Sequence, residues 1–259
     1  MDELEPVSSL LDMFLGGVLA LIAASLSAHF GYRAADRMPG ESRRPHCLYC
    51  LMPLRLWDCL PILGWSLRHK ARARPCACKK QQDFWRLPMI EISGFVLGIA
   101  AIWLAGDLDP FLITTCLTLG VLVSIVMIDL AFGVIPDELN ITLALLGLIG
   151  LLVGDGDVYF GLINAAGLLG LGLLLALVYS KWRGQEMLGL GDVKFLAAAG
   201  LWLPFMQIPW FLLASGIAGI AMGVLWRFLT GEKTFPFAPA LCLSLAGCLF
   251  YQLYLYGAP

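Results

Sequence analysis

The chain has 259 residues, 59% of them apolar and only 14% charged, with a mean hydropathy of +0.82. A water-soluble domain of this length does not ordinarily carry so few charges, so the composition excludes that class and predicts an all-α polytopic membrane protein. The net charge of −2 says little by itself; where the charges fall is informative.

Apolar stretches approaching the ~17–25 residues that a bilayer-spanning helix needs run, in chain order, from Leu10 to Phe30, Pro88 to Gly106, Phe111 to Leu130, Leu139 to Val153, Val158 to Ser180, Trp210 to Leu229 and Ala240 to Tyr256. A shorter one, Asp192 to about Gln207, is broken by Pro204 and is counted sixth, which makes about eight transmembrane helices with a large loop between the first two. The first stretch follows acidic residues and shows no small-residue cleavage pattern, so it is expected to be a retained helix rather than a secretory signal.

The loops divide by charge. Residues 33–86 hold 12 of the 17 Lys and Arg, and the remaining five fall near the fifth and seventh connections. The opposite connections carry Asp2, Glu3, Glu5, Asp107, Asp109, Asp155 and Asp157 and no basic residue. Positive charge marks the cytoplasmic side, which places both termini outside. Arg43, Arg44, Arg68, Lys70, Arg72 and Arg74 are expected to meet the anionic headgroups of the lipid bilayer. The tethered loop shows no recognition-helix or base-stacking pattern, so no nucleic-acid partner is expected.

Two aspartates stand where apolar runs meet polar ends: Asp129, closing Val121 to Ile128, and Asp192, within Leu188-Gly-Leu-Gly-Asp-Val-Lys-Phe195. An anion at the centre of a membrane helix costs about 2.5–3.5 kcal/mol, so a carboxylate among hydrocarbon is a functional candidate by default. Each also has a plainer reading, Asp192 as a helix N-cap after a Gly191 turn and Asp129 as an interfacial helix end. The crossing order puts both on the cytoplasmic face, and Gly189 and Gly191 beside Asp192 admit close approach of backbone or ligand. Two facing carboxylates suit acid/base hydrolysis, one as an anion activating water and the other keeping a proton to donate. Gly154-Asp-Gly-Asp157 is a second match to Gly-x-Gly-Asp, but the same order places it on the outer face, as an exposed turn.

Cys47-x-x-Cys50 and Cys76-x-Cys78 have the close pairing that supplies four thiolates to a structural zinc, with Cys59 or His46 as replacement ligands. A reducing cytoplasm disfavours disulfides there. Cys116, Cys242 and Cys248 lie in apolar segments and read as small buried hydrophobes. His29, His46 and His69 show no catalytic or ligating spacing.

At the aspartates the chain resembles a known family. Ile128-Asp129, then Ile135-Pro136-Asp137-Glu-Leu-Asn140, then Met187-Leu-Gly-Leu-Gly-Asp192-Val-Lys-Phe, look like the type IV prepilin peptidases, which belong to the Gly-x-Gly-Asp intramembrane aspartyl proteases. The ordered upstream landmarks are Cys47-Leu-Tyr-Cys50, Leu56-Trp-Asp58-Cys-Leu-Pro61-Ile-Leu-Gly-Trp65, Cys76-Ala-Cys78 and Leu87-Pro-Met-Ile-Glu91. Phe235-Pro-Phe-Ala-Pro239-Ala-Leu241, near the end, is similar to the family's proline-rich approach to the last helix. The second cysteine pair departs from the family pattern by one residue.

The resemblance implies an aspartic endopeptidase of the bacterial inner membrane that cuts the leader from type IV prepilins or pseudopilins, with Asp129 and Asp192 catalytic and Gly189, Gly191 and Lys194 as the supporting motif. It also implies N-methylation of the new terminus with S-adenosylmethionine as methyl donor, for which Glu91, at the cytoplasmic start of the second helix, is the candidate residue. The expected division is residues 1–32 as the first helix, 33–87 as the cysteine-bearing cytoplasmic loop and 88–259 as the peptidase core. The rival readings are a presenilin-like protease and an ion-coupled transporter. The transporter predicts acidic groups at mid-bilayer and repeated broken helices, neither of which is evident in the sequence.

Overall fold

In the computed structural model, residues 5–35, 86–106, 108–154, 156–183, 189–231 and 235–257 are described. They form α1 (Glu5–Ala35), α2 (Arg86–Ala105), α3 (Pro110–Phe132), α4 (Asp137–Val153), α5 (Val158–Arg183), α6 (Leu190–Gly200), a 3-10 turn (Phe205–Gln207), α7 (Ile208–Thr230) and α8 (Ala238–Gly257). The fold is a polytopic all-α membrane fold, with no strand among the described residues. Six of these helices, α1, α2, α3, α5, α7 and α8, are long and apolar enough to cross a membrane. At 1.5 Å per residue, α4 with its 17 residues reaches about 25 Å and α6 with its 11 about 16 Å, both short of a hydrocarbon core of about 30 Å.

Local sequence sets the helix ends. Asp109 caps α3, its Oδ1 accepting from the Leu112 N–H at 2.6 Å, and Pro110 occupies the first turn, where its missing N–H costs nothing. At the other end Gly133 adopts φ 67°, and its N–H returns to the Asp129 carbonyl at 2.8 Å. That left-handed closure suits glycine and stops α3 one turn beyond Asp129. Pro136 and the acidic pair Asp137 and Glu138 then start α4.

α3 is the most buried of the six spans. α1 packs along both α2 and α3, and α8 lies against α2, α3 and α7. Small residues govern the first of these contacts: Ala20, Ala24 and Ala28 of α1 are fully buried. A Cβ added at Gly98 would collide with the Gly16 carbonyl, and one at Gly120 with the Ala20 carbonyl. Between lipid-solvated helices there is little hydrophobic drive, so close backbone approach and interhelical hydrogen bonds hold the bundle. Ser124 Oγ accordingly donates to the Ala24 carbonyl, and Ser27 Oγ to Ser124 Oγ, both at 2.7 Å.

The break after α6 is handled inside protein. Leu201, Trp202 and Leu203 are buried. Trp202 Nε1 donates to the Leu143 carbonyl at 3.2 Å, while the Trp202 and Leu203 carbonyls accept from Gln252 Nε2 and Asn164 Nδ2 at 3.0 and 2.9 Å. Non-helical backbone at membrane depth is tolerated when its polar groups are satisfied in this way. The run from Asp192 to about Gln207, which the sequence shows as broken at Pro204, has its helix end earlier, at Gly200, with a buried turn following.

Candidate active site

Asp129 sits in the last turn of α3 and is 5% exposed. Its Oδ2 accepts from the Ala238 backbone N–H at 2.9 Å, so the first residue of α8 holds the carboxylate with one of the donors that a helix start leaves free. Phe235-Pro-Phe-Ala-Pro239 is thereby placed beside Asp129 although it lies more than a hundred residues away in the chain.

Asp192 lies in the first turn of α6, its backbone N–H donating to the Gly189 carbonyl at 3.0 Å. The two carboxylates are close enough to interact electrostatically, and both act on the buried Cys242 thiol, one helical turn into α8. Three elements that are far apart in the chain, the end of α3, the start of α6 and the start of α8, therefore meet at one pair of acids.

The glycines of the Gly-x-Gly-Asp stretch have separate reasons. A Cβ on Gly189 would stand 3.3 Å from Asp192 Oδ2, against the carboxylate itself. One on Gly191 would stand 3.2 Å from both Cβ and the carbonyl oxygen of Ile135, in the loop that follows Asp129. Gly191 thus lets the Asp192 turn lie directly on the loop that leaves the Asp129 helix.

Lys194 does not reach into the pair. It is half-exposed, and its Nζ donates to both carboxylate oxygens of Asp137, at 2.7 and 2.8 Å. Asn140, one turn further along α4 and buried, donates from Nδ2 to the Gly191 carbonyl at 3.1 Å. Asp137 and Asn140 stand within the Ile135–Asn140 landmark, where the sequence assigns them no separate role; their i, i+3 spacing on the first turn of α4 is the one signal it offers. Nothing in the sequence marks Ala238, because its contribution is a backbone N–H.

The other residues fall as follows. Asp157 is exposed, with Oδ1 accepting from the Tyr159 N–H at 2.8 Å. Its turn begins at Gly154, which packs near Phe111 at the start of α3, about 27 Å of helix from Asp129. Glu91 is 3% exposed in α2 and accepts from Ser25 Oγ at 3.0 Å. Cys116 and Cys242 are buried and Cys248 is half-buried. Cys47, Cys50, Cys59, Cys76, Cys78 and His46 lie outside the described residues; among the described residues no cluster of metal-ligating side chains occurs.

Comparison with known proteins covers most of the chain. Residues 116–224 match the family described as Type IV leader peptidase family, and residues 18–105 the Bacterial Peptidase A24 N-terminal domain. Proteins named prepilin leader peptidase/N-methyltransferase are similar along most of their length. One from Burkholderia pseudomallei is 33% identical over 227 residues, covering 84% of this chain and 72% of that protein. One from Legionella pneumophila is 32% identical, covering 80% and 72%, and one from Aeromonas hydrophila is 34% identical, covering 78% and 69%. No solved structure matches the chain.

Proposed function

Because the chain belongs to the type IV leader peptidase family, we propose that it cleaves the leader from type IV prepilins or pseudopilins with Asp129 and Asp192 as its catalytic pair, and then methylates the new N-terminus. The observation that carries the peptidase reading is the meeting of the two carboxylates at one end of the bundle, with Asp129 held by the Ala238 N–H.

Close carboxylates share a proton more readily than they both ionise. The anionic member takes a proton from water as the oxygen attacks the scissile carbonyl, and the protonated member donates to the carbonyl oxygen. Collapse of the tetrahedral adduct expels the amine, which leaves with a proton, and no covalent enzyme adduct forms. The pair titrates as a unit, so both roles belong to the dyad. A fixed backbone donor, the Ala238 N–H, sets the orientation of the Asp129 carboxylate before substrate arrives, which is where catalytic sites gain most from preorganisation.

The charge asymmetry of the loops supports a cytoplasmic position for this end of the bundle in the bacterial inner membrane, with both termini periplasmic. A substrate with a short basic leader in the cytoplasm and a hydrophobic helix in the bilayer brings its scissile bond to that depth. A transporter would carry its acids at mid-bilayer, whereas Asp129 is one turn from the end of α3.

Methyl transfer rests on the N-methyltransferase part of the relatives' names. S-adenosylmethionine, when bound, supplies the methyl group. Glu91 is the residue of this chain assigned to the transfer, as a buried carboxylate able to hold the nascent amine. Glu91→Gln is expected to yield cleaved, unmethylated product, read as a mass difference in the intact mature pilin. Full methylation in that variant removes Glu91 from the reaction.

The loop at residues 33–87 is proposed to carry one structural zinc on Cys47, Cys50, Cys76 and Cys78, a reading that rests on their spacing. Metal analysis of the purified protein is expected to find about one zinc per chain, lost in the Cys47→Ser, Cys50→Ser double variant. Zinc content unchanged by that substitution assigns the metal to other ligands.

A further inference from the structure

The first turn of α4 touches the first turn of α6 at two points with matching spacing. Asp137 and Asn140, three residues apart on α4, engage Lys194 and the carbonyl of Gly191, three residues apart on α6. One contact is an exposed two-oxygen ion pair and the other a buried amide. Between them lies Asp192. Only four residues, 133–136, link the end of α3 to the start of α4, and this segment contains Ile135, on which Gly191 rests. The helix bearing Asp129 and the turn bearing Asp192 are thus tied together through a single short loop and its following turn.

Neither contact is well explained by stability. The ion pair is half-exposed on both sides, where such pairs contribute little. Asn140 Oδ1 is buried and has no hydrogen-bond partner among the described residues, which is a cost to the folded state. The Gly191 carbonyl that Asn140 holds is already inside α6, where the helix supplies its ordinary partner. An apolar side chain of similar size would fill the Asn140 position without leaving an orphaned acceptor. Retention of an amide there calls for another role.

We propose that Asp137 and Asn140 are positioning residues, a clasp from α4 onto α6 that sets the separation and mutual orientation of the Asp129 and Asp192 carboxylates. The proposal rests on the reading of those aspartates as the hydrolytic pair. Two acids that must act on one water and one carbonyl tolerate little displacement, and a shift of about 1 Å at a reacting centre costs up to about a hundredfold in rate. The clasp acts on turnover and leaves substrate binding alone, because neither residue needs to touch the prepilin.

The test uses the full-length protein in lipid nanodiscs, with a prepilin carrying its leader as substrate, and measures kcat, KM and thermal midpoint for each variant. Asn140→Leu is expected to keep or raise the midpoint while kcat falls about tenfold to a hundredfold and KM moves less than about threefold. Lys194→Met and Asp137→Met are each expected to lower kcat. The double variant is expected to fall no further than the worse single one, as groups acting through one contact do, and Lys194→Arg to retain most of the rate. Unchanged kcat in Asn140→Leu and in the ion-pair variants overturns the clasp, as does an effect confined to KM or strict additivity of the pair. Should Asn140→Leu fail to fold, the exposed ion-pair cycle decides alone. Asp129→Asn and Asp192→Asn are run alongside: cleavage surviving in either defeats the dyad reading, whereas their inactivity with fully active clasp variants defeats the clasp alone.

Discussion

Asp129→Asn and Asp192→Asn are each expected to lower leader cleavage by about a thousandfold or more, the loss typical when a positioned acid or base is removed, with the protein still present in the membrane. Asparagine keeps the shape and, at position 129, an oxygen that can accept from the Ala238 N–H, so the turn geometry survives while the transferable proton is lost. Asp157→Asn serves as the control. It repeats the same change in the second Gly-x-Gly-Asp match, at an exposed turn where the side chain only accepts from the Tyr159 N–H. Cleavage in membranes from each variant, with protein level measured by immunoblot, decides the matter. Activity persisting in either Asp129→Asn or Asp192→Asn refutes the assignment, and a dead Asp157→Asn would show that it is not selective for this pair.

The second large effect concerns packing. Gly120→Leu is expected to destabilise the bundle by about 3 kcal/mol or more, because the added Cβ collides with the Ala20 carbonyl, backbone that cannot step aside without parting α1 from α3. α3 carries Asp129, so peptidase activity should fall with the fold rather than independently of it. Gly170→Leu is the matched control, since a Cβ there meets nothing within 4 Å. Thermal unfolding in detergent is expected to show a marked drop for Gly120→Leu and little change for Gly170→Leu. Equal midpoints would mean that α1 and α3 are not held by close backbone approach.

The two kinds of substitution probe different layers, and the sequence speaks unequally about them. Asp129 and Asp192 stand out in the sequence as candidates because charge is scarce in this chain, so an acid at the end of an apolar run contrasts with its surroundings. The decoy at Asp157 was separable by counting crossings, and the structure puts Gly154 beside Phe111, at the opposite end of α3 from Asp129. Gly120 carried no such mark. It is one of 28 glycines, and only the approach of α1 distinguishes it from Gly170.

By itself the sequence determined the membrane class, seven of the eight helices found among the described residues to within a few residues, the two acids proposed as the catalytic pair and the family resemblance. These are properties of local composition: apolar length, a capping Asp109 with Pro110, a glycine where α3 must stop, and charge against hydrocarbon. What only the tertiary structure decided depends on residues distant in the chain. The Ala238 N–H on Asp129 is a backbone contribution with no side-chain signature. The clasp of Asp137 and Asn140 on α6 depends on the helices' relative rotation, which no local pattern sets. The sequence shows this segment short and broken at Pro204; that its helix ends already at Gly200, in a turn whose carbonyls are met by donors from α5 and α8, is beyond hydropathy, which averages over side chains and cannot register where a backbone carbonyl finds its partner.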